Sequence, residues 1–303
     1  MKYLVTGGFG FIGSHLAVKL IRDGHHVTII DDCSSDSVSS PPWHDNCDFI
    51  NCDIINTQFY EKFLNGVDVV FHLAAKARVQ PSIADPVYFD YTNVHGTVNL
   101  FKACVDAGVR KIVFSSSSSV YGDAEMPTSE NHRLSPQSPY GLQKKIGEEY
   151  LELFTKIYDI KGVSLRYFNV YGEGMPLGGG YATAIGIFLN QRRNDKKITI
   201  FGDGEQTRDF THVNDVIQAN ILAATATTEG LENYEVFNVG NGDNVSVNEV
   251  AKLIGGDIQY LAPKIEPKAT LADNSKIKEK LKWAPTGNLH KWIPEYKKIA
   301  NIQ

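Results

Sequence analysis

The chain has 303 residues, of which 42% are apolar and 21% charged, a length and balance that exclude disordered, collagen-like and disulfide-scaffold classes and leave room for one large α/β domain or two smaller ones. Thirty Lys and Arg against 35 Asp and Glu give a net charge of −5, with no basic run that could track a phosphate backbone, so nucleic acid is not an expected partner. No secretory leader pattern and no stretch of about 18 apolar residues occurs. Cys33, Cys47, Cys52 and Cys104 are spaced neither as a disulfide framework nor as a zinc site, so the expectation is a soluble, cytosolic protein with reduced thiols, no bound metal and no membrane association.

The first strand is expected over Lys2–Thr6 and the first helix over Phe11–Arg22. Between them Gly7, Gly10 and Gly13 form a G-x-x-G-x-x-G pattern that includes Phe11 and Ile12. A diphosphate can be held by the free N–H groups of a helix N-terminus when no Cβ blocks the approach, and glycine removes the block. The second strand, Val27–Asp31, ends in an acid eighteen residues past Gly13, close to the offset of about 20 at which a carboxylate meets the adenosine ribose. Asp31, followed by Asp32, would accept from a free 2′-hydroxyl and repel a 2′-phosphate, which selects NAD over NADP. A third strand over Asp48–Asn51, a helix over Gln58–Leu64, a fourth strand over Val67–Phe71 and a helix over Tyr91–Ala107 continue the βαβ rhythm of a parallel sheet.

The fifth strand, Lys111–Ser115, runs into five consecutive serines, placing Ser115, Ser116, Ser117, Ser118 and Ser119 at a C-terminal strand edge, where open α/β sheets bind ligands. A helix over Ser138–Tyr158 carries Tyr140 and Lys144 four residues apart on one face. Tyr260 and Lys264 repeat the spacing, but Pro263 argues against a helix there and the pair is taken as accidental. A sixth strand is expected over Val163–Phe168. Past Gly172, with Gly174, Pro176 and Gly178-Gly179-Gly180, the rhythm breaks. The expected architecture is a Rossmann-type doubly wound parallel sheet over residues 1–168, with segments near 205–240 returning to it, and a smaller mixed α/β substrate lobe over 169–303. Trp283, Trp292 and the Leu289–Ile299 helix read as core or as a closing C-terminal element. His72, His95 and His212 lack metal-like spacing and read as structural.

At these residues, and at His72-Leu73-Ala74-Ala75-Lys76, Asn93-Val94-His95-Gly96-Thr97, Arg166-Tyr167-Phe168-Asn169-Val170-Tyr171-Gly172, Arg208-Asp209-Phe210-Thr211-His212-Val213 and Ala272-Asp273, the chain resembles the extended short-chain dehydrogenase/reductase family, and within it the sugar-nucleotide epimerases. The resemblance implies NAD as cofactor, a UDP-sugar as substrate and a homodimer formed through the helices around Tyr91–Ala107 and Ser138–Tyr158. It implies that Asp53 and Ile54 meet the adenine, that Leu73, Ala74, Ala75, Lys76, Asn93 and Ser115 line the cofactor, and that Tyr167 lies near the nicotinamide. Asn169 and Arg208 would face the substrate diphosphate, and Ser117, Tyr140 and Lys144 would form the catalytic triad.

Such chemistry passes a hydride from a sugar carbinol to NAD while a base takes the hydroxyl proton. Bringing a phenol from a pKa near 10 to about 7 requires roughly 4 kcal/mol of differential stabilisation. Lys144 and the nicotinamide charge are the expected sources. Related dehydratases carry Asp-Glu, and UDP-glucuronate decarboxylases a Glu, where this chain has Ser118 and Ser119. Two departures bear on substrate: the family's diphosphate arginine corresponds here only to Lys264, and Thr270, at the family's gate beside the sugar C2 group, is small enough to admit an N-acetyl substituent. A UDP-hexose 4-epimerase, with N-acetylated forms admitted beside UDP-glucose and UDP-galactose, is the leading expectation. A UDP-glucuronate 4-epimerase, a dehydratase or decarboxylase, and an inactive NAD sensor are the alternatives.

Overall fold

The structure is a computed structural model that describes residues 1–35, 44–179, 182–226, 231–263 and 267–302; Gly180 and Lys264, both singled out in the sequence, lie outside these residues. Seven parallel strands form the central sheet: β1 Lys2–Thr6, β2 His26–Asp31, β3 Cys47–Asn51, β4 Val69–His72, β5 Lys111–Ser117, β6 Lys161–Tyr167 and β7 Tyr234–Val239. Their spatial order is β7-β6-β5-β4-β1-β2-β3, and every pairing is parallel. This is the expected doubly wound arrangement. The order reverses between β1 and β4, so the loops leaving those two strands part and open a crevice at their carboxyl ends.

The Phe11–Arg22 helix forms over the expected residues and buries Leu16, Ala17, Leu20 and Ile21 as one stripe against the sheet and the Val213–Thr225 helix. On the opposite face, Leu100, Phe101 and Cys104 of the Thr97–Asp106 helix and Leu151 and Phe154 of the Pro139–Ile157 helix pack with Leu4, Val70, Ile112 and Phe114. A separate core, built on Ile185, Phe188, Leu189, Ile198, Ile200, Val250, Ile254 and Ile293, lies in the C-terminal half, where the helix falls on Leu289–Ile299 as expected and Trp292 is buried. Trp283 is fully buried in the core shared with the first helix, its indole N–H donating to the Asp215 carbonyl.

Three expectations are corrected. Residues 58–64 form two short 3₁₀ turns, Thr57–Phe59 and Glu61–Leu64, because Tyr60 between them is drawn into the core and its hydroxyl donates to the Ile54 carbonyl at 2.6 Å. The helix placed at Tyr91 starts earlier, at Pro86, with Asp85 as N-cap accepting from the Tyr88 N–H at 3.0 Å, and Tyr91–Gly96 form a π-helical segment before Thr97–Asp106. β5 continues to Ser117, pairing Ser115, Ser116 and Ser117 with Leu165, Arg166 and Tyr167, so the first serines of the run are ladder residues.

Candidate active site

The glycine segment occupies the crevice at the carboxyl end of β1. Gly7 adopts φ +70°, and a Cβ on it would stand 2.7 Å from the Ala74 nitrogen on the loop leaving β4. A Cβ on Gly13 would stand 2.0 Å from the Gly7 carbonyl oxygen. Gly10 caps the Phe11–Arg22 helix with no side-chain hydrogen bond, leaving the N–H groups around Phe11, Ile12 and Gly13 directed at the crevice. Asp31 is buried at the end of β2. Its Oδ2 accepts from the Phe9 N–H and its Oδ1 from the Cys33 N–H, both at 2.8 Å. Burial raises its pKa above the ordinary carboxylate value, and the two amides oppose this. These residues fit a dinucleotide: a cradle that a Cβ would fill, an amide-rich helix start and an acid fixed beside it.

Around the crevice, Asp32 accepts from the Lys76 ammonium at 3.1 Å and from the Ser34 hydroxyl at 2.6 Å. Asn93 clamps the Lys76 backbone, accepting from its N–H and donating to its carbonyl, each at 2.8 Å, and a further N–H reaches Gln143 Oε1. This fixes Leu73, Ala74, Ala75 and Lys76 along the loop after β4. Asp53 accepts from the Ile55 N–H at 3.0 Å in a turn beyond β3, while the Ile54 side chain is core.

The Pro139–Ile157 helix opens on Ser138, whose hydroxyl accepts from the Gly141 N–H at 3.1 Å, and on Pro139 in its first turn. A Cβ on Gly141 would lie 2.5 Å from the Ser119 carbonyl oxygen, so only glycine lets this helix start approach the serine turn. Ser117 donates to the Ser119 hydroxyl and accepts from the Ser119 N–H, both at 3.1 Å, and Ser118–Val120 form a 3₁₀ turn. The Ser117 hydroxyl also acts on the Tyr140 phenol, favouring its ionised form. Lys144 is 4% exposed and donates to the Ser115 carbonyl at 2.7 Å. The Ser115 hydroxyl meets Tyr167 Oη at 2.9 Å, and Asn220 meets that phenol as well. Ser117, Tyr140, Lys144, Ser115 and Tyr167 are thus brought together.

Burial holds the Tyr140 pKa above the ordinary phenol value, and the groups that oppose this are the Ser117 hydroxyl and the Arg78 guanidinium. Lys144 sits 5.9 Å from the Tyr140 ring centroid and 4.9 Å from that of Phe114. Burial lowers its own pKa to about 7, with Glu148 opposing. Arg78 and Glu148 were not singled out in the sequence. Arg78 lies in the loop after β4 with no local signal beyond its positive φ of 99°, whereas Glu148 extends the Tyr140–Lys144 face by one helical turn and was legible as such. Ser82 was missed too: its hydroxyl accepts from the Tyr140 N–H at 3.1 Å.

On the far side of the crevice, Asn169 donates to the Asp209 carbonyl at 3.0 Å and to the Thr270 hydroxyl at 3.3 Å, and that hydroxyl also accepts from the Asp209 N–H at 3.2 Å. Asn169 and Thr270 thus meet at Asp209, and Arg208 precedes it on the short strand Thr207–Asp209, its Nη1 donating to the Thr207 carbonyl at 2.9 Å. The three histidines divide. His72 is buried between the Thr6 and Thr97 hydroxyls with its pKa lowered to about 3 by burial. His212 caps the Val213–Thr225 helix. His95 is exposed and stacks on Tyr91.

A dinucleotide cradle joined to a Ser-Tyr-Lys constellation at the switch point of a parallel sheet defines a nucleotide-dependent oxidoreduction fold of the short-chain type. The chain belongs to the NAD dependent epimerase/dehydratase family, whose model matches residues 3–240. It is 36% identical over 303 residues to the UDP-glucose 4-epimerase of Mycolicibacterium smegmatis, covering 94% of each chain. Among solved structures it is similar to the UDP-glucose 4-epimerase of Thermotoga maritima with UDP-glucose, at 36% identity and a TM-score of 0.91 over 99% of this chain and 100% of that one. It is also similar to the UDP-N-acetylglucosamine 4-epimerase of Methanobrevibacter ruminantium M1 in complex with UDP-N-acetylmuramic acid, at 36% identity and a TM-score of 0.90 over 98% of both chains.

Proposed function

We propose that the protein is an NAD-dependent 4-epimerase of a UDP-hexose, acting on UDP-glucose and UDP-galactose and on their N-acetylated forms. The observation that carries this reading is Lys144, fixed on the Ser115 carbonyl at 2.7 Å and 5.9 Å from the Tyr140 ring centroid, at the strand edge beside the glycine cradle. Residues 1–168, with the returning segment, hold the cofactor, and 169–303 mainly hold the substrate. The amides at the start of the Phe11–Arg22 helix bind the diphosphate of NAD, Asp31 its adenosine ribose, Asp53 and Ile54 its adenine, and the Leu73–Lys76 loop with Asn93 its far half. Held there, NAD would supply the hydride-transfer chemistry at the sugar C4.

Tyr140 takes the proton of the C4 hydroxyl and later gives it back, with Ser117 donating to the same oxygen to hold it in line. The Arg78 guanidinium favours the phenolate against burial. Asn169 and Arg208 grip the substrate diphosphate, and Thr270 leaves space beside the sugar C2. Ser118 and Ser119 supply no carboxyl for elimination or further processing of the oxidised sugar, which disfavours the dehydratase and decarboxylase readings. The protein works in the cytosol as a homodimer. Support for the dimer comes from the exposed apolar side chains Val87, Tyr91, Leu142, Leu153 and Ile157 on the two helical segments beside the site.

The test is incubation of the purified protein with a panel of UDP-sugars without added cofactor, with C4 stereochemistry followed by proton NMR. Interconversion of C4 epimers is expected. Elimination products or carbon dioxide release would replace the assignment with a dehydratase or decarboxylase, and absence of turnover with every sugar would leave a nucleotide-holding protein.

A further inference from the structure

One helical turn beyond Lys144 lies Glu148, 3% exposed, and it is bound on two sides. Ser116 donates its hydroxyl to Glu148 Oε1. Arg166, 4% exposed on β6, donates Nε to Oε1 at 2.9 Å and Nη2 to Oε2 at 2.6 Å. Arg166 Nη1 donates to the Tyr121 hydroxyl at 2.8 Å, and that hydroxyl donates to Asn238 Oδ1 on β7 at 2.6 Å. Two consecutive residues of β5 are therefore held by the same helix, Ser115 through its carbonyl by Lys144 and Ser116 by Glu148, and the next residue, Ser117, acts on the Tyr140 phenol.

Resting on the reading of Tyr140 and Lys144 as the reacting pair, we propose that Glu148 is a positioning residue of the reaction, keeping the Lys144 ammonium charged and holding the three-serine strand edge in register beneath Tyr140. A buried ammonium loses its hydration, and a carboxylate one turn away on the same helix face offsets that loss. The other groups facing Lys144 cannot do so. His72 on β4 is neutral between two threonine hydroxyls, Tyr140 carries no charge until it gives up its proton, and Arg166 on β6 is itself cationic. Glu148 is accordingly the group that acts against burial in setting the Lys144 pKa of about 7. The two-handed Arg166 grip fixes the carboxylate and prevents it from drawing Lys144 off the Ser115 carbonyl.

The experiment is a pH titration of Lys144 in the NAD-loaded protein by NMR of ¹³Cε-lysine, with the resonance assigned by its loss in Lys144→Met. In Glu148→Gln the midpoint falls by at least one pH unit, at least a tenfold smaller ammonium-to-amine ratio at every pH. Glu148→Asp recovers at least half of that shift, and kcat falls at least tenfold in Glu148→Gln while KM stays within twofold. An unmoved midpoint, even with reduced kcat or stability, overturns the proposal and leaves Glu148 a purely structural partner of Arg166. If Glu148→Gln does not fold, the double variant Glu148→Leu/Arg166→Met exchanges the buried pair for apolar side chains of similar size, a change such sites often tolerate, and the same midpoint criterion applies. The titration needs no sugar substrate, so failure of the epimerase assignment and failure of this role are read separately.

Discussion

Replacing Gly13 by Ala tests the dinucleotide cradle most directly. The added Cβ would lie 2.0 Å from the Gly7 carbonyl oxygen, 2.8 Å from its carbon and 2.9 Å from the Gly8 Cα. Carbon and oxygen in close contact keep about 3.3 Å, so the two segments must separate by roughly an ångström. The obstacles are all backbone, and no rotamer change relieves them. Overpacking of this kind costs about 1–3 kcal/mol of stability, and the segment that moves is the one whose amides face the crevice. Losing two hydrogen bonds to a charged diphosphate, at about 1.5–3 kcal/mol each, corresponds to a loss in NAD affinity of at least about a hundredfold at 1.4 kcal/mol per decade. Calorimetric titration of NAD-stripped protein, together with the NAD content of protein after gel filtration, measures the change. Gly178→Ala is the control, since its Cβ would meet only the Asn190 side chain at 3.6 Å. A Gly13→Ala dissociation constant within threefold of wild type would refute the steric account.

Tyr140→Phe should lower kcat by at least a thousandfold and leave NAD retention unchanged, and near-normal turnover would remove the residue from the mechanism. Asp31→Ser should narrow the NAD-over-NADP preference by at least tenfold in the same calorimetric assay, because the carboxylate that repels a 2′-phosphate is gone; an unchanged ratio would show that Asp31 does not face the ribose. Thr270→Tyr should reduce turnover of N-acetylated UDP-hexoses relative to the parent hexoses by at least tenfold, and an unchanged ratio sinks the C2 assignment. Lys144 has a folded-state pKa of about 7 and an ordinary value of 10.5, so between these limits the unfolded chain binds more protons than the native one and stability rises with pH. Denaturant midpoints followed from pH 7 to 10 should therefore climb more steeply in wild type than in Lys144→Met. Parallel curves would show that Lys144 is not deprotonated in the fold.

Much of the architecture was legible because its punctuation is local. Glycines at 7, 10 and 13 and the stripe Leu16, Ala17, Leu20 and Ile21 mark the first strand-to-helix turn, and Ser138-Pro139 marks the start of the Tyr140 helix at the observed residue. What escaped depends on partners remote in sequence. The 3₁₀ turns at 57–64 follow from the burial of Tyr60, and the π-helical segment at Tyr91–Gly96 has no signature in residue type. A run of serines carries the composition of a loop, yet Ser115 and Ser116 are buried because Tyr167 and Glu148 lie ready to satisfy them. Tyr140 and Lys144 could be found by spacing. The charge that acts on Tyr140 could not, because Arg78 is brought to it by a loop sixty-two positions earlier in the chain.

β7 returns to pair with β6 over six residues after the chain has left the sheet for some seventy positions. The two halves of the molecule are therefore interlaced rather than strung end to end. Cutting after residue 168 would strip β6 of its neighbour and present a row of open amides and carbonyls, an invitation to aggregate. Grafting a different sugar pocket onto this scaffold as a cassette would fail for the same reason, whereas loop-by-loop exchange within 170–210 and 262–274 leaves the interlacing strand in place.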